Sequence, residues 1–189
     1  MLNIYAKKGL LLLGFSLAMQ FAEAQELLHY WHFNTLAAGT VTAPVAADDS
    51  EIAGTTSITY PGTGAGYLDD VTGDILNAAD GIVAGKGLRP RNPSNTRELL
   101  IAFPTTGYED IVMKFATTRT TQGASEQLYS YSIDGGANFI TTGLPVTTFS
   151  PTVDIYGLVT LDFSSISGAA NNPNFIVKIN FGGTTAAGT

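Results

Sequence analysis

The sequence predicts an all-β, antiparallel fold, either a sandwich or a barrel. Segments along the chain alternate apolar and polar residues with a period of two, Gly-rich turns and Asn-Pro pairs separate them, and no stretch keeps an amphipathic helical period for three turns. A length of 189 residues suits one domain with a proper core. An apolar fraction of 44% against 13% charged residues excludes a disordered chain.

The first 24 residues read as a leader rather than as part of the fold. Lys7 and Lys8 form a positive region, "GLLLLGFSLAM" is an apolar run of 11 residues, and Ala22-Glu23-Ala24 is a small-residue cleavage site before Gln25. A membrane anchor would need about 18–20 apolar residues, whereas this run breaks at Gln20. The expectation is a secreted or cell-surface module over residues 25–189 that does not span a membrane once the leader is gone. The chain has no cysteine, so export does not rely on a disulfide framework. Its net charge of −7 becomes one unit more negative when Lys7, Lys8 and Glu23 are removed. That balance opposes nucleic acid and anionic lipid as partners, because both need positive charge to displace counterions.

Strands follow in order. "LLHYWHFN" sets His29, Trp31 and Phe33 on one face and Tyr30, His32 and Asn34 on the other, with Trp31, the single tryptophan, as a core anchor. "TSITY" is a weaker strand. Asp48, Asp49, Glu51, Asp69, Asp70, Asp74 and Asp80 then form an acidic stretch without Lys or Arg, and Lys86, Arg89, Arg91 and Arg97 follow it. The two stretches read as solvated loops that attract each other. "DILNAADG" allows a short helical turn stopped at Gly81. "ELLIAFP" is apolar on both faces and suggests a central strand ending at Pro104. "EDIVMKFAT" places Ile111, Met113 and Phe115 together, "LVTLDF" does so with Val159, Leu161 and Phe163, and "NFIVKINF" with Phe175, Val177, Ile179 and Phe181.

The stretch "YSYSIDGGANF" reads as a hairpin turn. Tyr129, Tyr131 and Ile133 alternate, Asp134-Gly135-Gly136 supplies the positive φ that a tight turn needs, and Phe139 opens the return. Ser132, Asp134, Gly136 and Phe139 also match S-x-D-x-G-x-x-F. That resembles the Asp-box of sialidases and related propellers, where the motif is structural, remote from catalysis and repeated in every blade. Here it occurs once, and supports a turn rather than glycosidase chemistry.

No catalytic constellation emerges. His29 and His32 sit on opposite faces of one strand, so neither a serine-type triad nor a zinc pair assembles from them. Gly62, Gly64 and Gly66 lack the Lys-Ser/Thr and the helix of a phosphate loop. No cofactor is expected. A structural calcium ion is the one inorganic candidate, with Asp69, Asp70 and Asp74 supplying carboxylates; the alternative is a solvated acidic loop.

The order "LRPRNP", "PTTGY", "YSIDGG" and "NNPNF" resembles secreted jelly-roll-like β-sandwich modules of large surface and extracellular proteins exported through a type IX route. The resemblance runs from about His29 to the C-terminus. It implies a two-sheet antiparallel β-sandwich, jelly-roll-like, that serves as an accessory module beside other domains of a longer chain, with no catalytic residues to carry over. Such modules add a strand after the Gly/Thr-rich turn, so this chain reads as a fragment lacking its final strand. The expected function is extracellular binding or adhesion, with a polysaccharide or cell-surface glycan as ligand. Candidate contacts are Tyr67, Arg89, Arg91, Asn92, Tyr108 and Tyr156. The alternatives are an accessory or catalytic part of an extracellular hydrolase and a structural spacer.

Overall fold

A computed structural model describes residues 1–8, 25–83, 85–92 and 94–183. It contains no α-helix among the described residues, and its strands pair antiparallel throughout. Among the described residues thirteen strands follow one another: β1 (Leu2–Lys8), β2 (Glu26–Trp31), β3 (Thr40–Val41), β4 (Asp49–Ser50), β5 (Ser57–Thr59), β6 (Tyr67–Thr72), β7 (Lys86–Arg91), β8 (Glu98–Phe103), β9 (Tyr108–Thr117), β10 (Glu126–Ser132), β11 (Thr148–Phe149), β12 (Gly157–Asp162) and β13 (Phe175–Gly182). One sheet runs β12-β9-β1-β2-β4 and a second runs β11-β10-β13-β8-β5. Their inner faces share one hydrophobic cluster, which makes the fold a β-sandwich. Three of the four outer edges (β4, β5 and β11) are only two or three residues long.

The period-two segments build this core as the sequence predicts. Phe175, Val177 and Ile179 of β13 point inward and are buried, as are Ile111 and Met113 of β9 and Val159 and Leu161 of β12. Rings meet edge to face in this core: Phe163, directly after β12, and Phe175 lie 5.1 Å apart at 81°, and Phe103 meets its cross-strand neighbour Phe175 at 5.4 Å. Trp31 is fully buried, and its Nε1 donates to the Val45 carbonyl at 3.2 Å. β8 lies between β13 and β5 and ends before Pro104, as its two apolar faces suggest. The helical turn in "DILNAADG" is a single 3-10 turn, Ile75–Asn77, with Asp74 Oδ1 accepting from the Leu76 amide.

The "YSYSIDGGANF" turn forms around its short polar side chains. Ser132 Oγ donates to Asp134 Oδ1 at 2.7 Å and accepts from the Gly136 amide, while Asp134 accepts from both the amide and the side chain of Asn138. Gly135 and Gly136 take φ of 75° and 94°. Tyr131 and Ile140 exchange backbone bonds across the turn. Phe139 does not open a return strand; its ring lies under the Lys178 ammonium at 4.0 Å, and the regular return pairing comes only at β11.

Two regions depart from expectation. The acidic and basic stretches are not loops where they face each other. β6 and β7 pair from Tyr67↔Arg91 to Thr72↔Lys86, and with β3 they form a third, three-stranded sheet. Charges, Gly87 and Pro90 hide strand character in "KGLRPR"; β7 is an edge, where a proline without an N–H costs the ladder least. The second departure is the N-terminus. Leu2–Lys8, within the segment assigned to a leader, is the central strand of the first sheet, flanked by β2 and β9. Residues 9–24, with the apolar run and the Ala22-Glu23-Ala24 site, lie outside the described residues.

Candidate binding site

A cavity of about 440 Å³ opens where the third sheet meets one end of the sandwich. Its floor is apolar, with Ile101, Met113 and Phe115 drawn from the two large sheets. Its rim is polar. Arg89, Arg91 and Asn92 come from β7 and the residue after it, and Tyr156 comes from the turn before β12. Four of the six sequence-predicted contacts therefore meet at one opening.

The third sheet sets the geometry of that rim. Strand alternation puts Tyr67 and Asp69 on the same face of β6, opposite Arg91 and Arg89 on β7. Asp69 takes Arg89 through two bonds, Nε to Oδ1 at 2.9 Å and Nη2 to Oδ2 at 2.7 Å. Arg91 Nη1 donates to the same Oδ2 at 3.1 Å, and its guanidinium lies over the Tyr67 ring at 5.6 Å. Burial alone would raise the Asp69 carboxyl, but its bonds to Arg89 and Arg91 and their charges outweigh that and hold it below the usual carboxylate range. Across the opening, Tyr156 Oη donates to the Thr72 carbonyl at 2.9 Å and ties the third sheet to the sandwich.

Tyr67 is thus not on the cavity wall; it supports Arg91 from beneath. Tyr108 is elsewhere. It is buried at the start of β9, the opposite end of that strand from the cavity, and its carbonyl accepts from the Asn171 amide. The calcium candidates do not converge. Asp69 holds the two arginines, Asp70 on the other face of β6 pairs with Lys86 at 3.1 Å and accepts from the Gly39 amide, and Asp74 caps the 3-10 turn. Among the described residues no three His, Cys, Asp or Glu side chains come together to hold a metal ion. Lys86 also donates to the Leu36 carbonyl, which anchors β7.

Sequence reasoning missed part of the rim. Arg119, Gln127 and Asp154 also line it. Arg119 Nε donates to the Pro151 carbonyl at 2.9 Å, and Gln127 Nε2 donates to Thr117 Oγ1. The polar run "TTRTTQG", which begins at the last residue of β9, carries a signal for Arg119 but none for Gln127 or Asp154. The "PGTGAG" glycines have a different use: Arg97 donates to the Tyr60 and Gly64 carbonyls, and a side chain at Gly62 or Gly66 would collide with the Arg97 segment.

One hydroxyl meets a ring nitrogen. Ser50 Oγ lies 3.0 Å from His29 Nδ1, and His29 Nε2 lies 2.8 Å from the Pro104 carbonyl. A carbonyl only accepts, so Nε2 carries the proton and Nδ1 accepts from the serine. His29 packs beside Trp31 and Phe103, and this burial lowers its pKa in spite of the Pro104 bond. Among the described residues no carboxylate is a hydrogen-bond partner of this ring, and the arrangement fastens β4 to β2.

No protein-family model, curated protein or solved structure matches this chain. Among the described residues no helix is long and apolar enough to cross a membrane.

Proposed function

We propose that the chain is a non-catalytic extracellular binding module that takes a saccharide at this cavity. The observation that carries the reading is a rim of side chains already fixed in place over an apolar floor. Asp69 clamps Arg89 and Arg91, and Tyr156 is tied to Thr72. Sugars present an apolar C–H face and a ring of hydroxyls; donors held before binding lose little side-chain freedom when they meet those hydroxyls. In this reading the module serves a larger exported protein of the type IX-route kind, as its binding or adhesive accessory.

The test is a panel of neutral and acidic oligosaccharides titrated calorimetrically against the protein. Arg91→Ala lowers affinity by about tenfold or more, and Tyr108→Phe leaves it unchanged. A panel without a binder replaces this reading with the spacer. Release of reducing sugar from a bound oligosaccharide replaces it with the hydrolase, and the Ser50–His29 contact then becomes the first pair to mutate.

A further inference from the structure

The inner face of the second sheet runs on past the closed core. Ile101 of β8 and Ile179 of β13 are buried, whereas Leu99 and Phe181, two residues further toward the same end of the sheet, are half-buried and line the cavity. Val71 of β6 and Leu88 of β7, half-buried as well, border the same space from the third sheet. Among the described residues, Gln127 is the one buried polar side chain of the lining. Both ends of its amide are engaged: Oε1 accepts from Tyr129 Oη at 2.8 Å, and Nε2 donates to Thr117 Oγ1 at 2.9 Å. Beneath a rim of Arg89, Arg91 and Tyr156, the cavity therefore presents an accessible wall that is mostly aliphatic.

We propose that this wall is a subsite for a saturated hydrocarbon chain, so that the ligand of the cavity is a saccharide bearing an alkyl or acyl group. The sugar stays at the rim and the chain runs inward along Leu88, Leu99 and Phe181. The sugar half rests on the saccharide reading above; the hydrocarbon half stands on the wall itself. A sugar hydroxyl pressed against Leu88 or Leu99 gives up its water and gains no partner. A methylene chain has no such loss, and it supplies the contacts that an unfilled apolar wall lacks. Val71, Leu88 and Leu99 have no ring plane on which the C–H face of a sugar could stack; a flexible chain needs none. Native interiors keep few spaces larger than a water molecule, so about 440 Å³ beside such a wall is room for the apolar part of a ligand.

The test titrates methyl, n-hexyl and n-octyl glucoside and n-octanol, all below their micelle concentrations, into the full chain by calorimetry. Affinity rises with chain length, by about tenfold for every two methylenes buried, and octyl glucoside saturates at one molecule per chain. Leu99→Ser weakens octyl glucoside by at least about tenfold and leaves methyl glucoside as it was. Leu88→Ser, on the third sheet, reads the same effect should the Leu99 variant not fold. Octyl and methyl glucoside of equal affinity overturn the hydrocarbon subsite and leave the saccharide reading standing. Octanol as tight as octyl glucoside, with Arg91→Ala without effect on either, upholds the subsite and removes the sugar from the rim. Binding of octyl glucoside that neither serine variant weakens, or no binding of any of the four probes, overturns the subsite.

Discussion

The second sheet is centred on β13, which pairs with β10 and β8 and sends Phe175, Val177 and Ile179 into the core. The first sheet is centred on β1, which sends in Leu2, Ile4 and Ala6 but also needs Asn3 and Asn77 to hold its outer face. One centre is aromatic and internal to the folded module. The other is aliphatic, polar on its outer side and next to the buried His29. The difference teaches that two centres with equal hydrogen bonding are held by different means: the second by aromatic rings, the first by aliphatic packing within and the Asn3–Asn77 pair outside.

The sharpest way to break the comparison is Phe175→Ala. Loss of a ring that touches Phe103, Tyr131 and Phe163 costs about 3–5 kcal/mol in denaturant titration, in the full chain and in any form without residues 1–24 alike. Ile4→Ala costs about 2–5 kcal/mol in the full chain and has no effect on protein recovered without residues 1–24. Equal effects of Ile4→Ala on both forms would make β1 as permanent as β13.

A smaller effect separates the turn from the strands it joins. Gly136→Val costs about 1–3 kcal/mol through backbone strain at φ 94°, because a side chain there would meet Ile176 and Phe139 only at ordinary contact distance. A variant melting with the parent would remove the turn from the list of features that hold the second sheet.

Acid distinguishes the sheets without mutation. His29 has its pKa lowered by burial, so below its ordinary value of 6.5 the unfolded chain binds more protons than the folded one. Stability is full above that pH and declines as pH falls below it; His29→Gln abolishes the slope in a urea series. In the uncleaved chain the Met1 ammonium adds a slope of the same sign between pH 8.0 and about 6, since burial pushes it down to about 6 in spite of Asp74. Asp134, in the turn of the second sheet, is held down to about 2 by the Asn138 side chain, the Ser132 hydroxyl and the Asn138 amide. Its contribution is present above pH 3.8 and is lost only as pH falls through about 2, and Asp134→Ala lowers the melting temperature at neutral pH but not at pH 2.

The strands that face one core were legible because alternation is written in side chains alone. Phe175 to Phe181, Ile111 to Phe115 and Val159 to Phe163 needed no partner to be recognised. The Asp134 turn was legible for a related reason: its bonds run between residues at most four apart. β7 was not, because Lys86, Arg89 and Arg91 become strand residues only when Asp70 and Asp69 stand across from them. The same distance in sequence hid the cavity. Arg89, Arg91, Asn92 and Tyr156 could be picked by chemistry, but nothing local shows that they meet, that Tyr67 lies beneath Arg91, or that Tyr108 is at the far end of β9. The placement of Leu2–Lys8 was also out of reach, since a short apolar strand and the start of a leader use the same residues.

The brevity of β4, β5 and β11 has a colloidal consequence. A flank two or three residues long offers a neighbouring molecule too few free amides to seed a growing stack. On the two large sheets, three of the four flanks give a neighbouring copy almost nothing to pair with. The fourth, β12, is as long as the β7 edge of the third sheet, but where β7 carries Lys86, Arg89, Pro90 and Arg91, β12 turns Leu158 outward; a lysine in place of Leu158 is expected to reduce light scattering of concentrated solutions.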